Sequence, residues 1–246
     1  MIIGSNLYFF KNLPSTNTHA LSLLKEKPLP EGSVIYTNFQ TAGKGYAGNS
    51  WETEDGKNLL FSTILYPSFL KAADQFYLSM TISLGIGDFL ERYISGSRVK
   101  WPNDIYINDD KIAGILIESA VLTDTIEYSV AGIGLNINQE KFYSPAPNPV
   151  SLRQLTGDSY DMAKCLNELT GDLDKRYKEL ISGKLHDLKK EYISKLYRLN
   201  EYARFSDKGE TFTGKIIDIG DYGSLRIETE GNKIREFAFK EIEFIL

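Results

Sequence analysis

Three consecutive strand-like runs between Val99 and Asn138 constrain the fold more than any other feature of this sequence. They are rich in β-branched and aromatic residues, and they cover Val99 to Ile107, Lys111 to Leu122 and Thr125 to Asn138. A short polar turn, Asn108-Asp109-Asp110, joins the first two runs and suits an antiparallel hairpin. The sequence therefore predicts an antiparallel meander in the middle of the chain.

Helical patterns flank these runs on both sides. A short helix is predicted within Asn12 to Lys27, one long helix over Asp74 to Tyr93, and amphipathic helices over Asp161 to Ile181 and Lys184 to Leu199. Two further strands are predicted at Ser33 to Phe39 and Asn58 to Leu65, and a strand-like stretch follows Met1 to Gly4. The predicted fold class is α+β, with a mixed, largely antiparallel sheet flanked by helices.

After Leu199 the pattern changes to short strands separated by turns. The predicted strands are Thr211 to Ile219, Ser224 to Glu228, Ile234 to Phe239 and Ile242 to Leu246, and their close spacing predicts a small barrel. A chain of 246 residues, 42% of them hydrophobic, can bury one large core and a small second one. We therefore expect a main domain over residues 1–198 and a C-terminal domain over residues 199–246.

Composition argues against two classes of partner. The formal net charge is −5 and no Lys/Arg cluster is present, so we expect no nucleic-acid partner. No apolar run approaches the roughly 20 residues that span a bilayer, and no signal peptide is evident, so we expect a cytoplasmic protein without a membrane partner. We expect Cys165 to be a buried or idle thiol, and His19 and His186 to be structural or exposed.

A glycine-rich loop between two predicted strands is the first motif that could carry chemistry. It runs Gln40-Thr41-Ala42-Gly43-Lys44-Gly45-Tyr46-Ala47-Gly48-Asn49-Ser50-Trp51. Glycines let backbone N–H groups approach an anion closely, and Lys44 adds a positive charge. The loop matches neither GxGxxG before a helix nor GxxxxGK[ST], so an ordinary mobile hairpin loop is the alternative.

The second motif is Lys100-Trp101-Pro102-Asn103-Asp104, which is followed by Lys111-Ile112-Ala113-Gly114-Ile115-Leu116. Pro102 removes a backbone donor from a strand and Asp104 adds a carboxylate, and both are unfavourable in a purely structural strand. Hairpin pairing would place Asp104 and Lys111 within reach of one ligand. The alternative is an ordinary surface ion pair on an edge hairpin.

The third motif is Gly132-Ile133-Gly134-Leu135-Asn136-Ile137-Asn138. By the period of two, its glycines and asparagines share one face of a strand. Amide side chains can bind the donors and acceptors of a base, and small neighbours leave room for its ring. A strand that simply runs into a turn is the alternative.

The three motifs in this order resemble biotin protein ligases, whose usual pattern is a Gly-Arg-Gly-Arg loop, KWPND, a lysine leading into AGIL, and GxGxN. Ser15-Thr16-Asn17 and the terminal strands also fit, so the resemblance covers nearly the whole chain. It implies a class II synthetase-like catalytic domain followed by an SH3-like β-barrel. It further implies the monofunctional type, because the catalytic region begins close to the first residue, and we expect no direct operator binding.

This resemblance implies a two-step reaction. Family members join biotin to AMP by using ATP and Mg²⁺, and then pass the biotinyl group to a lysine of a biotin carboxyl carrier domain of a carboxylase. No covalent intermediate with the enzyme is expected. The resemblance also admits a homodimer.

The resemblance implies roles for individual residues. Lys111 would be the central catalytic cation, assisted by Lys44 and Lys100. The biotin pocket would comprise Ser15, Thr16, Asn17, Gln40, Gly43, Lys44, Gly114 and Ile115, and the adenylate would contact Gly45, Tyr46, Trp51, Lys111, Asn136 and Asn138. Asn103 or Asp104 would support the magnesium ion.

The glycine-rich loop departs from the family pattern, because the usual arginines are replaced by Lys44, Tyr46, Ala47 and Asn49. We hypothesise that Tyr46 retains the adenylate less tightly than an arginine would. The Tyr46→Arg variant should then release biotinyl-5′-AMP more slowly than wild type in a release assay. Equal release rates would contradict the hypothesis.

Two alternative functions stay open at this point. A lipoate or octanoyl ligase or transferase shares the fold class and a catalytic lysine, but the KWPND segment and the terminal strands favour biotin. A non-catalytic biotin or nucleotide sensor is favoured only by the weakly charged loop, and Lys111 argues against it.

Overall fold

A computed structural model describes residues 1–45, 48–144 and 148–245 of the protein. Seven strands form one sheet, in the spatial order β1 (Leu7–Leu13), β2 (Val34–Gln40), β3 (Asn58–Leu65), β7 (Thr125–Asn136), β6 (Asp110–Leu122), β5 (Asp104–Ile107) and β4 (Ser97–Lys100). Only the β1–β2 pair is parallel among these neighbours. The predicted mixed, largely antiparallel sheet is confirmed, and β1 is the strand-like stretch that follows Gly4.

Helices cover both faces of this sheet. They are α1 (Thr16–Glu26), α2 (Phe76–Leu90), α3 (Leu152–Thr156), α4 (Met162–Ile181) and α5 (Leu185–Ser194). The Ser15 side chain caps α1 by accepting a hydrogen bond from Thr18, as its position before the helix predicts. No helix among the described residues has both the length and the apolar character needed to cross a membrane.

Every residue of β3 is buried, because helices lie against both of its faces. Phe61 and Leu65 point into the large core shared with α2, α4 and α5, whereas Ile64 points to the smaller core beneath α1. Burying a side chain of the size of Phe61 contributes roughly 1.5–3 kcal/mol. This two-sided burial makes β3 the centre of the fold, and the alternation of its side chains places Ser62 on the α1 face.

The predicted single strand from Val99 to Ile107 is wrong, because it is two antiparallel strands joined by a turn at Trp101-Pro102-Asn103. Lys100 pairs directly with Asp104, and the Trp101–Pro102 peptide bond is cis. Proline has no N–H for a sheet ladder and is disfavoured in the middle of a strand. The KWPND segment is therefore a turn that presents its polar side chains, not a continuous strand.

The C-terminal strands form a separate five-stranded antiparallel sheet. Its strands are β8 (Tyr202–Asp207), β9 (Glu210–Ile219), β10 (Leu225–Thr229), β11 (Ile234–Phe237) and β12 (Glu243–Ile245), in the order β11-β10-β9-β8-β12. The sequence missed β8, in which Phe205 is the one buried residue and Arg204 and Asp207 carry charges. The pairings of the described residues leave β11 and β12 at opposite edges, so closure into a barrel stays a prediction.

Helix α5 ends earlier than the predicted Leu199. The chain after Ser194 pairs instead with β4, because Val99 donates its N–H to the carbonyl of Lys195 at 2.8 Å and accepts from Tyr197 at 2.9 Å. These hydrogen bonds satisfy backbone groups that a longer helix would have used internally. The segment leading to the C-terminal sheet is thus fastened to the strand that carries Lys100.

Candidate active site

Two adjoining clefts open on the α1 face of the seven-stranded sheet. The first has a volume of about 220 Å³ and lies between the N-terminus of α1, the glycine-rich loop, and strands β6 and β7. The second has a volume of about 310 Å³ and lies between the same loop, strands β4 and β5, and residues 142–144. Both clefts are lined by Asn49, Ser50, Trp51, Asp104 and Lys111. Ligands in the two clefts would therefore meet at these residues.

The first cleft has a polar floor built around the start of α1. The Thr16 N–H donates to Oε1 of Gln40 at 2.8 Å, and Oγ of Ser62 donates to Oδ1 of Asn17 at 2.6 Å. Asn17 in turn donates to the carboxylate of Glu118 at 2.8 Å. Because these side chains hold one another in place, they can offer fixed donors and acceptors to a polar ligand.

The indole ring of Trp51 forms the wall between the two clefts. It lies on Gly114 and Gly134, which pair with each other across β6 and β7. A Cβ atom at Gly114 would lie 2.8 Å from the ring, so a larger residue would displace it. The backbone N–H of Trp51 donates to the carbonyl of Gly43 at 2.9 Å, which closes the base of the glycine-rich loop. The glycines of two motifs thus give one aromatic side chain its position.

Lys111 lies where the clefts meet, and its Nζ is 2.7 Å from Oδ1 of Asp104. Both side chains stay partly exposed, at 23% and 26% respectively. The Nζ of Lys111 also lies 5.5 Å from the centre of the Trp51 ring. The expected proximity of Asp104 and Lys111 is confirmed. Since their ion pair lines both clefts, it is not merely a surface contact at a hairpin edge.

Lys100 supplies a second cation to the second cleft. Its Nζ donates to the hydroxyl of Tyr106 at 3.1 Å and lies 4.8 Å from the centre of that ring. Burial lowers the pKa of Lys100, Asp104 opposes the shift, and the charges of Lys111 and Arg198 add to it. The second cleft therefore contains two lysines close enough to influence each other, which suits a polyanionic ligand.

Asn136 lines the second cleft with an unused acceptor. Its amide nitrogen donates to the carbonyl of Val150 at 3.1 Å, whereas its Oδ1 is buried without a partner among the described residues. The Nε1 of Trp51 is likewise buried and unpaired in the described part of the chain. Unpaired buried polar atoms are rare unless a ligand completes them. An acceptor beside an aromatic ring suits a heterocyclic base with an amino group.

Glu52 fastens one wall of the second cleft. Its carboxylate accepts from the N–H of Tyr143 at 2.8 Å and from the N–H of Ser144 at 2.6 Å. These hydrogen bonds lower the pKa of Glu52, although partial burial, the largest single effect, opposes them. Phe142 and Ser144 line the cleft, so Glu52 ties this segment to the loop that carries Trp51.

Most residues expected in the site lie in these clefts. The first cleft is lined by Ser15, Thr16, Asn17, Gln40, Lys44, Gly45, Trp51, Asn103, Asp104, Lys111, Gly114 and Ile115, and the second by Lys100, Trp51, Asp104, Lys111 and Asn136. Gly43 lies behind the lining, with its carbonyl bonded to Trp51. Tyr46 falls outside the described residues.

Two of the expected residues are engaged in structural hydrogen bonds. Asn138 donates to the carbonyl of Tyr160 at 2.8 Å and accepts from its N–H at 2.9 Å, and it lines neither cleft. Asn103 donates its amide to the carbonyl of Ile115 at 2.6 Å. The geometry therefore gives no support to Asn138 as an adenylate contact. The Asn103 amide nitrogen is used to bond the KWPND turn to β6.

Sequence reasoning missed Ser62, Tyr106 and Glu52. Ser62 had a weak signal, because it is a polar residue inside the otherwise apolar run NLLFSTIL. Tyr106 and Glu52 had none, because tyrosine is common in strands and glutamate is common in loops. Cys165 is buried, which was one of the two expectations for it, and burial raises the pKa of its thiol to about 11. His19 packs against Phe10, and His186 is exposed.

Two described carboxylates line the second cleft, Asp104 and Glu52, and that of Glu52 is already bonded to the N–H groups of Tyr143 and Ser144. Among the described residues no group of three or more His, Cys, Asp or Glu side chains could hold a metal ion. Magnesium usually keeps several waters and binds through one or two carboxylates plus substrate phosphates. Asp104, which faces both clefts, fits that mode of binding.

Comparison with known proteins gives consistent matches. The model of the biotin/lipoate A/B protein ligase family matches residues 9–136. The bifunctional ligase/repressor BirA of Bacillus subtilis (strain 168) is 30% identical over 237 residues, which cover 94% of this chain and 72% of BirA. The biotin--[acetyl-CoA-carboxylase] ligase of Mycobacterium tuberculosis is 25% identical over 225 residues, covering 89% and 82%. The structure of the biotin protein ligase from Aquifex aeolicus in complex with biotin and ATP matches with a TM-score of 0.81 and 25% identity, covering 98% and 99%.

A sheet with two adjoining clefts and a lysine at their junction defines an enzyme that brings two ligands together. The matched family model covers more than half of the chain and includes the glycine-rich loop, KWPND and Lys111. The chain belongs to the biotin/lipoate A/B protein ligase family.

Proposed function

We propose that this protein forms biotinyl-5′-AMP from biotin and ATP, and then transfers the biotinyl group to a lysine of a biotin carboxyl carrier domain of a carboxylase. The observation that carries the proposal is the position of Lys111, in contact with Asp104 where the two clefts meet. Biotin occupies the first cleft and ATP the second. The printed names of the relatives and the ligands of the matched Aquifex aeolicus structure support the choice of substrates.

The polar floor of the first cleft binds the ureido ring of biotin. Ser15, Thr16 and Asn17 offer hydroxyl and amide groups there, and Gln40 orients Thr16. A ring that both donates and accepts hydrogen bonds matches such a mixed set. The valeryl tail then runs along Gly114 and Ile115 toward Lys111, which brings its carboxylate to the junction.

In the first step the biotin carboxylate attacks the α-phosphorus of ATP, the new C–O–P linkage forms, and pyrophosphate leaves with the electron pair of the broken P–O bond. Two anions at ~4 Å repel by about 4 kcal/mol at an effective dielectric of 20. Lys111 offsets this repulsion, with Lys44 and Lys100 assisting, and it stabilises the charge that develops in the transition state. Asp104 would help to hold a magnesium ion, which would supply further neutralising charge when bound with ATP.

In the second step the carrier lysine, as a free amine, attacks the acyl carbonyl of the mixed anhydride. The amide C–N bond forms, the acyl C–O bond to the phosphate breaks, AMP leaves with its electron pair, and the nitrogen releases a proton to solvent. The enzyme orients the amine and excludes water, so no nucleophilic side chain of its own is needed.

The adenine ring is placed beside Trp51 and Asn136. The unpaired Oδ1 of Asn136 accepts from the exocyclic amino group, which satisfies that buried atom. The proposal keeps residues 1–198 as the catalytic domain and residues 199–246 as the C-terminal domain. It places the enzyme in the cytoplasm and leaves a homodimer to be tested by its mass in solution.

The proposal is tested by incubating the protein with ATP, Mg²⁺, biotin and a purified carrier domain. Biotin should be incorporated into the carrier, and octanoate or lipoate should not be. Incorporation of lipoate instead would favour the lipoate ligase. Biotin binding without any transfer would favour the sensor.

Replacing Glu52 by glutamine should weaken ATP binding by about five- to tenfold, because hydrogen bonds to a carboxylate are roughly twice as strong as those to a neutral amide. The change removes a negative charge from the cleft, which by electrostatics alone would favour ATP. A rise in the KM for ATP therefore reports on the hydrogen bonds to Tyr143 and Ser144. The exposed Glu54, changed to glutamine, removes the same charge as a control. An unchanged KM for ATP in Glu52→Gln would contradict this role.

The lowered pKa of Lys100 predicts a pH dependence of ATP binding. As the pH rises, Lys100 loses its charge at a lower pH than an ordinary lysine, whose pKa is about 10.4. The affinity for ATP should therefore begin to fall at a pH below that value. In Lys100→Arg the guanidinium stays charged, and this fall should move to higher pH. Titration of ATP affinity between about pH 7 and 10 in both proteins tests this. If ATP affinity falls at the same pH in the wild type and in Lys100→Arg, this role of Lys100 is contradicted.

A further inference from the structure

The KWPND turn is held by the C-terminal sheet as well as by its own strands. Trp101 is only 4% exposed, and its Nε1 donates to the carbonyl of Gly223 at 2.8 Å. The ring of Phe239 packs on Trp101, with ring centres 5.2 Å apart. Gly223 has a φ of +83°, and it lies so close to Phe76 of α2 that a Cβ atom would come within 2.6 Å of that ring. The 3₁₀ turn of residues 221–223, directly before β10, thus packs closely against the seven-stranded sheet domain.

The same sheet also reaches Lys100, the residue before Trp101. The Nζ of Lys100 lies 5.3 Å from the centre of the Phe244 ring of β12 and 4.8 Å from that of Tyr106. The ammonium group therefore contacts Tyr106 of the seven-stranded sheet and Phe244 of the C-terminal sheet. Phe244 is itself supported by the fully buried Phe205, at 5.3 Å between ring centres.

We infer that Phe244 is a positioning residue for the first reaction step, and that it acts by holding the ammonium group of Lys100 in the nucleotide cleft. Phe244 does not line that cleft, whereas Lys100 and Tyr106 do. The inference rests on the proposed role of Lys100 toward ATP. It gives the C-terminal sheet a part in binding the nucleotide.

The physical reason is the flexibility of a lysine side chain. An ammonium group on a four-carbon stem has many rotamers, and ordering it costs conformational entropy. The hydrogen bond to the Tyr106 hydroxyl and the attraction to the Phe244 ring together select one position before the nucleotide binds. Without Phe244, this cost falls on ATP binding, while the biotin pocket, which Lys100 does not line, is unaffected.

The test compares Phe244→Leu with Phe244→Tyr and with Phe212→Leu in the full chain. Phe212 lies in the same sheet and stacks on Phe205, with ring centres 5.8 Å apart, so its replacement reproduces the loss of aromatic packing away from Lys100. We expect Phe244→Leu to raise the KM for ATP by about tenfold and to leave the Kd for biotin unchanged. Phe244→Tyr, which keeps the ring, and Phe212→Leu should both stay close to wild type.

A second arm separates the inference from the role of Lys100. In a Lys100→Gln background, Phe244→Leu should raise the KM for ATP no further, because its effect passes through the ammonium group. A rise that persists in that background, or one that Phe212→Leu matches, overturns the inference. If Lys100→Gln alone leaves the KM for ATP unchanged while Phe244→Leu raises it, the proposed role of Lys100 fails and the inference fails with it. A failure of biotin transfer in the wild type would instead refute the proposed function.

Discussion

The Lys111→Ala variant should form biotinyl-5′-AMP at least about a hundredfold more slowly than wild type. Removal of one preorganised group that stabilises transition-state charge typically costs a factor of 100 to 1,000 in rate. The loss is enlarged here because Asp104, left without its partner at 2.7 Å, would add a negative charge between two anions. Single-turnover formation of the adenylate measures the effect, separately from transfer to the carrier.

The variant should remain folded, because the side chains of the pair are 23% and 26% exposed and water can reach the Asp104 carboxylate that is left. A matched control is Lys215→Ala in the C-terminal sheet. Lys215 is 2.6 Å from Glu228, and the two side chains are 29% and 25% exposed. Thermal unfolding should be similar in both variants, while adenylate formation should be lost in Lys111→Ala alone. Normal adenylate formation without Lys111 would refute its central role.

The second large effect is expected from Gly134→Ala. A Cβ atom at this position would lie 2.7 Å from two atoms of the Trp51 ring, so the indole must move away from its position against β7. Since Trp51 separates the two clefts, its displacement should reduce kcat/KM for both biotin and ATP, each by at least about tenfold. A tenfold loss corresponds to about 1.4 kcal/mol, within the 1–3 kcal/mol typical of overpacking. We expect the cost to fall on activity because Trp51 lies in a loop and moves more easily than the sheet. Gly134 is not among the glycines with positive φ, so backbone strain is not the cause.

The control for this variant is Gly171→Ala within α4. A Cβ atom there meets no heavy atom within 4 Å, and alanine favours the helix by roughly 0.5–1 kcal/mol. Gly171→Ala should therefore be neutral to slightly stabilising and fully active. A Gly134→Ala enzyme with unchanged kinetics for both substrates would show that Trp51 does not need its present position.

The motifs could be recognised in the sequence because each contains residues, such as glycine, proline or a charged side chain, that are unfavourable in ordinary strands. Gly132 and Gly134 lie on one face of β7, and the structure places Asn17 over the first and Trp51 over the second. Asn136 follows on the same face and lines the second cleft. Alternation along a strand is a local property, so the order of these residues along the cleft followed from periodicity.

The KWPND segment shows where local reasoning stopped. Its composition favoured a strand, yet Pro102, which has no N–H for a sheet ladder, lies in a turn between β4 and β5. The ion pair of Asp104 with Lys111 was expected from hairpin pairing and is confirmed. The contacts of Trp101 with Gly223 and Phe239 were not, because they join residues more than 120 positions apart in the chain.

The sequence by itself determined the α+β class, the meander and the identity of the residues that meet at Lys111, since periodicity, turn chemistry and motif order are all carried by neighbouring positions. Only the tertiary structure decided that Ser62 completes the polar floor, that Glu52 fastens residues 143–144, and that Phe244 lies over Lys100. These contacts depend on which distant segments pack together. Packing is settled by the burial of whole faces and the pairing of strands, and no single stretch of sequence encodes it.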